Sequence, residues 1–326
     1  MTFRRLGLVV AVILSLMPPA AGAQPTARIP RIGVLSPAPV AAASASPFSA
    51  FREALRELGY VEGRNIALEF RLADGKYERL PELAADLVRL QVDVIVTDGG
   101  DAVTRVAATA TRTIPIVMGT SFDPVASGLV TSLARPGGNV TGFILSYVDL
   151  AGKRLQLLKE IVPAVGRVAV LWDADSGHPQ FRATAAAAPS LGVQLESLPV
   201  RGPADLDAAF EAARRQRAGA LLQLASRRLS DSRKAIIERA LKYRLPGIFE
   251  LGFAETGALV SYGPSVPDNF RRAAVYVDKI LKGTRPSDLP VEQPATFHLA
   301  LNLRTAKALG LTIPPSVLLP ATRIIE

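Results

Sequence analysis

The stretch FDPVASGLVTSLARPGGNVTGF, Phe122 to Phe143, gathers Asp-Pro, Arg-Pro-Gly-Gly-Asn and a closing glycine into 22 residues near the middle of the chain. Asp123 suits a helix N-cap, and Pro124 suits the first helical position, where its missing N–H would lack a partner in any case. Val125, Leu129, Val130 and Leu133 then recur at helical spacing, so a short helix is predicted here. Pro136-Gly137-Gly138-Asn139 ends it, and Val140 to Leu145 reads as a strand. A helix, a tight turn and a strand at this point mark a chain that completes one unit and leaves for another.

On both sides of this stretch short β-branched runs alternate with amphipathic segments. Before it, strands are predicted at Arg31–Ser36, Ile66–Leu72, Val92–Thr97 and Ile114–Met118, with helices at Pro47–Leu58, Leu80–Leu90 and Ala102–Thr111. After it, strands are predicted at Arg167–Trp172, Val193–Leu198, Gly219–Leu224, Gly247–Phe249, Ala258–Tyr262 and Phe297–Leu301. Helices separate them at Leu150–Val162, Phe181–Ser190, Ala204–Gln216, Asp231–Tyr243 and Asp268–Leu281. Strand-helix repetition resolves physically as a parallel sheet covered by helices on both faces. Two such α/β units fit 326 residues better than one giant sheet.

The composition removes whole classes of chemistry. There is no cysteine, which excludes disulfides, thiolate metal sites and cysteine nucleophiles. The two histidines, His178 and His298, lie far apart in sequence, so no multi-histidine metal site is expected, and no cofactor either. Arg4 and Arg5, the twelve-residue apolar run Leu6–Met17 and the Ala21-Gly22-Ala23 triplet form a secretory signal peptide, residues 1–23. Its apolar core falls short of the roughly 20 residues of a bilayer span. A periplasmic protein without stable membrane insertion is therefore expected. The formal charge is +9, and loss of Arg4 and Arg5 leaves +7. The basic residues are scattered and not interleaved with aromatics, so no nucleic-acid partner is expected.

Open sheets of this kind bind ligands beyond the carboxyl ends of their strands. The loops there offer Ser36 and Pro37, the run Asp98-Gly99-Gly100-Asp101, Thr120 and Ser121, Trp172 and Asp173, Ser226 and Arg227, and Glu250. Asp98 and Asp101 could pass for paired catalytic carboxylates, but a Gly-Gly turn with Asp101 capping the next helix is the commoner use of that pattern. Trp172 is the only tryptophan, open to core packing or to ligand stacking. Arg227 is either plain surface or a clamp on a ligand carboxylate. Tyr147 and Tyr262 adjoin expected crossovers, where hinge packing and ligand contact are both available. No GxGxxG, GxxxxGK[ST] or GxSxG occurs, so nucleotide-binding and esterase signatures are missing.

IPIVMGTSFDPVASGLVTSLARPGGNVTGF, together with FREALRELGYVEGRNIALEFRLADGKYERLPELAADLV, RLQLLKEIVPAVGRVAVLW and the C-terminal segment from Asp278, closely resembles the ABC transporter substrate-binding family of the tryptophan/tyrosine type. The resemblance runs in order from about Ile29 to Glu326. It implies a type I periplasmic binding fold, α/β, with two doubly wound parallel-sheet lobes joined by a three-crossover hinge. Lobe one would take 28–144 plus 258–285, and lobe two 145–257 plus 286–326. It also implies a monomer that closes on a small-molecule ligand and delivers it to an ABC permease and its ATPase. Relatives that hold aromatic amino acids usually carry a Gly-Thr-Pro-Ala-type loop where this chain has Thr97-Asp98-Gly99-Gly100-Asp101. Their Asn after the RVAVL-like strand is Asp173 here, and their later Asp-Asn pair is Ser226-Arg227.

Three readings compete. The first is an exported receptor for an amphipathic, amino-acid-like solute. In it, backbone N–H groups near Gly99–Ala102 and Ser121, with Arg227, hold an anionic group. Trp172 and Tyr262 stack on a planar part, and Asp98, Asp173 or Glu250 take a cationic one. The second is a sensor that passes its ligand state to a membrane kinase. The third is a hydrolase on the same scaffold, against which the missing nucleophile motifs count.

Overall fold

The computed structural model describes residues 28–45, 47–176 and 178–326; the expected signal peptide at 1–23 lies outside the described residues. The first unit runs β1 (Arg31–Ser36), α1 (Phe48–Glu57), β2 (Ala67–Leu72), α2 (Leu80–Arg89), β3 (Val94–Thr97), α3 (Asp101–Ala110), β4 (Ile116–Met118) and β5 (Val140–Gly142). Its five strands are all parallel, in the order β2-β1-β3-β4-β5. The inner strands β3 and β4 are buried along their length because helices cover both faces, whereas the edge strand β2 carries Glu69 and Arg71 and is only half-buried.

The second unit runs α4 (Ala151–Ile161), β6 (Arg167–Asp173), α5 (His178–Ala187), β7 (Gln194–Val200), α6 (Leu206–Arg215), β8 (Ala220–Gln223), α7 (Arg227–Asp231), α8 (Arg233–Lys242), β9 (Gly247–Phe249) and β10 (Val260–Gly263). Then come α9 (Val266–Leu281), β11 (His298–Asn302), α10 (Leu303–Leu309), α11 (Pro315–Leu318) and β12 (Arg323–Ile325). The second sheet has the order β12-β11-β10-β9-β8-β6-β7. All its pairs are parallel except β10 with β11, because β11 enters from the side of the crossover and runs back along β10.

The chain passes between the two units three times, and the boundaries differ from those expected. β10 hydrogen-bonds to β9 and β11, so residues 258–263 belong with the second unit, not the first. α9 returns to the first unit, where the Phe270 ring meets Phe48 and Phe51 edge-on at 5.6 and 6.3 Å. Burying a Phe side chain is worth about 1.5–3 kcal/mol. Phe270 alone is thus a strong tie between α9 and a core built, outside α9, from residues before 144 and Leu289. The following segment also stays with the first unit: Glu292 N–H donates to Gly142 and Ile144 N–H to Glu292. Phe143 and Glu292 form a parallel bridge, so two of the crossovers run side by side.

The predicted helix after Asp123 does not form. Asp123 Oδ1 accepts the Ala126 N–H at 3.0 Å, as a cap should, but Gly128 at φ +69° ends the coil after one turn. Leu129 and Leu133 still pack on the core, and Val130 is buried within it. The strand that follows is shorter than expected, and Phe143 to Leu145 become the first crossover.

Candidate functional site

The loop after β3 is shaped by two successive glycines in left-handed conformation, Gly99 at φ 115° and Gly100 at φ 83°. A Cβ on Gly99 would lie 2.6 Å from Val103 and 2.8 Å from Pro37; one on Gly100 would lie 3.0 Å from Phe122. Only glycine fits. Both glycine N–H groups are spent on Thr120 Oγ1, at 3.1 and 3.3 Å. They are therefore not the anion donors expected from the sequence. Asp101 is corrected too, since it does not cap its own helix. Its carboxylate accepts the Ser121 hydroxyl and the N–H groups of Phe122 and Asp123, tying the β3 loop to the β4 loop.

Asp98 is left as the polar group that this loop presents across the cleft. It is almost fully buried, accepts the Ser36 hydroxyl at 2.9 Å, and accepts Arg227 Nη1 of the second unit at 3.1 Å. Ser36 itself accepts the Ala38 N–H, and the Pro37 carbonyl accepts that of Gly75, so these two shape the rim. Arg227 starts α7 behind the Ser226 cap, whose side chain accepts the Leu229 N–H at 3.1 Å. Its other arm reaches Asp231 at 3.0 Å, and its Nε is buried without a partner among the described residues. Burial works against its charge, but Asp98 and Asp231 outweigh burial and hold its pKa above the ordinary value. Next to it, Arg228 binds Asp173 at 3.1 Å and Asp175 at 2.7 Å and lies 5.5 Å over the ring of Tyr77 from the first unit. Asp173 is therefore occupied by Arg228.

Glu250, at the end of β9, is buried. Its Oε1 accepts the Ser230 hydroxyl at 2.6 Å and Gln223 Nε2 at 3.2 Å, while its own N–H donates to Gln223 Oε1 at 3.0 Å. Burial pushes its carboxyl up to about 7, against the opposing pull of Ser230, Arg154, Gln223 and Arg233. Beneath it, fully buried Arg154 donates to the Gln223 carbonyl at 2.6 Å and lies 5.3 Å from the Tyr147 ring. Tyr147 accepts the Leu251 N–H at 3.2 Å, and burial raises its phenol pKa.

Asp98, Gly99, Gly100, Thr120, Arg227, Ser230 and Glu250 enclose a chamber of about 60 Å³, walled on its apolar side by Phe122, Leu145 and Val266. It adjoins a vestibule of about 820 Å³ that shares Arg227, Ser230, Glu250 and Val266 and adds Tyr147, Arg233, Asp268 and His298. Both lie where the strand ends of the two units face each other.

Trp172 is not part of it. Val168, Val170 and Trp172 point to one helix layer and Ala169 and Leu171 to the other. The indole stacks on Phe181 at 5.3 Å and donates to Ser197 at 2.9 Å. The stacking role expected for it is thereby corrected. Tyr262 packs with Phe297 in the cluster at the crossovers, a hinge position. Phe122, Leu145, Ser230 and Val266 were not foreseen. Arg154 did leave a signal, as a cation in register with Leu150, Leu158 and Ile161 on an apolar helix face.

Among the described residues no group of three or more His, Asp or Glu is placed to hold a metal, and no helix is long and apolar enough to cross a membrane. A family model described as ABC transporter substrate binding protein matches residues 40–325. The chain belongs to that family. It is 26% identical over 272 residues to a tyrosine-binding protein of Clostridioides difficile (strain R20291), covering 80% of this chain and 75% of that one. A conserved domain protein from Vibrio cholerae superposes with a TM-score of 0.84 at 26% identity, covering 91% of this chain and 100% of that chain. An ABC domain in complex with L-Trp from Streptococcus pneumonia gives 0.83 at 24%, covering 91% and 99%. The two-sheet architecture is the type I periplasmic binding fold.

Proposed function

We propose that this substrate-binding protein is an exported, non-catalytic receptor that captures an amino-acid-like zwitterion between its lobes and delivers it to a membrane permease driven by an ATPase. One observation carries the reading: a carboxylate from the first lobe, Asp98, meets a guanidinium from the second, Arg227, at 3.1 Å inside the chamber. A zwitterion can replace that contact, with its ammonium on Asp98 and its carboxylate on Arg227. Binding then requires both lobes, which couples capture to closure. Phe122, Leu145 and Val266 supply an apolar wall for the carbon skeleton. The tyrosine and tryptophan ligands of the two named relatives belong to this chemical class.

Calorimetry with L-tyrosine and L-tryptophan, beside their N-acetyl and amide derivatives, tests the reading. Binding of a free amino acid, weakened about tenfold or more when either charge is blocked, is expected. Equal affinity for the blocked forms would refute the zwitterion contact. Delivery is tested by uptake of the labelled ligand in cells with and without the gene, where loss of uptake is expected.

A further inference from the structure

Glu250 contains more than its network needs. Ser230 and Gln223 both donate to one oxygen, Oε1, and a glutamine in this position would accept the same two hydrogen bonds. What the acid adds is Oε2, which meets no donor among the described residues and is not sealed away from the cavity. Glu250 lines both the chamber and the vestibule, so this spare acceptor faces the space a solute would fill. Keeping a carboxyl in so enclosed a place is costly, as its shift to about 7 records.

The neighbouring charges do not consume it. Arg154 lies below, Arg227 on α7 and Arg233 on α8, Tyr147 comes from the crossover and Asp98 from the first lobe. None of these cations stands within 4.0 Å of Glu250 as an ion pair among the described residues. Arg227 is engaged by Asp98 and Asp231, and Arg233 donates to the Gly252 carbonyl. Arg227 and Ser230, which meet the two carboxyls, are one helical turn apart, about 5–6 Å between Cβ atoms. The site thus offers one acceptor for an ammonium and, a turn away, a second without a partner.

The geometry points to Glu250 as the residue that reads the solute's side chain: its free oxygen accepts a hydrogen bond from a hydroxyl or amine there, so the preferred solute is an amino acid with a donor-bearing side chain. This rests on the amino-acid reading above. A site built to accept such a donor discriminates against the analogue lacking it, because the buried acceptor is then left unpaired.

The test is calorimetry of the full protein with matched pairs: L-tyrosine and L-phenylalanine, L-lysine and L-norleucine, L-threonine and L-valine. In the wild type at about pH 8, above the Glu250 value, at least one donor-bearing member should bind about tenfold more tightly than its partner. In Glu250→Gln the amide NH₂ would face the solute's own donor, and the preference should fall below about threefold. A merely structural role would weaken both members of a pair equally and leave their ratio unchanged. If the variant melts early, the wild type at about pH 5.5 serves instead, where the protonated carboxyl should shrink the same ratio. Pairs that bind with equal affinity, or a ratio that survives in the variant, overturn the role of Glu250 and leave the amino-acid reading standing. No binding by any of the six overturns both.

Discussion

Replacing Asp98 with Asn removes one charge and changes almost no volume. Asp98 is 2% exposed and accepts from Ser36 at 2.9 Å and from Arg227 at 3.1 Å. At that separation the gross attraction to Arg227 is about 5 kcal/mol for an effective dielectric near 20. Desolvating the carboxylate offsets much of it, and the Arg227 side chain, 23% exposed, remains screened in part. A net of about 1.5–3 kcal/mol is left, the usual worth of a hydrogen bond to a charged group. Without ligand, this contact favours the closed arrangement, so Asp98→Asn should shift the lobes toward open by about 10- to 100-fold. With ligand, the ammonium loses its partner and Kd should rise by a similar factor. Small-angle scattering of the free variant and calorimetry of L-tyrosine binding measure the two effects. Scattering unchanged from wild type, together with a Kd within about threefold, would refute the claim that this pair joins the lobes around the solute.

Three further outcomes follow from the geometry. A Cβ on Gly263 would fall 2.2 Å from the Tyr147 hydroxyl, so Gly263→Ala should displace Tyr147 from Leu251, lower stability by about 1–3 kcal/mol in urea unfolding and weaken ligand binding; an unchanged midpoint would contradict it. Burial raises the Glu250 pKa from 4.5 to about 7, so the folded state holds that proton more tightly than the unfolded one. The associated stability is fully present below about pH 4.5 and lost as pH rises through about 7, on the order of 3 kcal/mol; melting curves of Glu250→Gln should lack this loss, and parallel pH profiles would rule it out. Trp172→Phe should lower stability by about 1–3 kcal/mol through the lost Ser197 hydrogen bond and packing, with ligand affinity changed less than about twofold; a large affinity loss would return Trp172 to the site.

The two-unit α/β architecture was readable because its inner strands are buried on both faces and announce themselves as runs such as VIVT and IVM. The boundaries were less readable. Nothing local in Val260–Gly263 says which sheet it joins; that is settled by pairing with β9 and β11, residues distant along the chain. The failed helix after Asp123 had a good cap and apolar spacing, but one glycine and the hydrogen bonds that Thr131 donates to the Arg135 and Pro136 carbonyls won locally. In the site, Asp98, Arg227 and Glu250 could be named from strand-end position alone. What each does could not, because hydrogen-bond partners lie up to 129 residues away. Trp172 illustrates the limit: its position at a strand end was right, but strand alternation turned its side chain to the helix layer.

The central claim is that the lobes close on a solute held by both of them. The cysteine-free chain allows spin labels to be placed at will, and Glu78 on the first lobe and Ala204 on the second are both exposed near the strand ends that face the cleft. Pulsed electron resonance between labels at these two positions, with and without saturating L-tyrosine, should show the free protein's mixture of open and closed distances collapse onto the single short one in the bound state. That narrowing should be lost in Asp98→Asn at the same ligand concentration. An identical distance distribution with and without a bound amino acid would contradict closure and the account built on it.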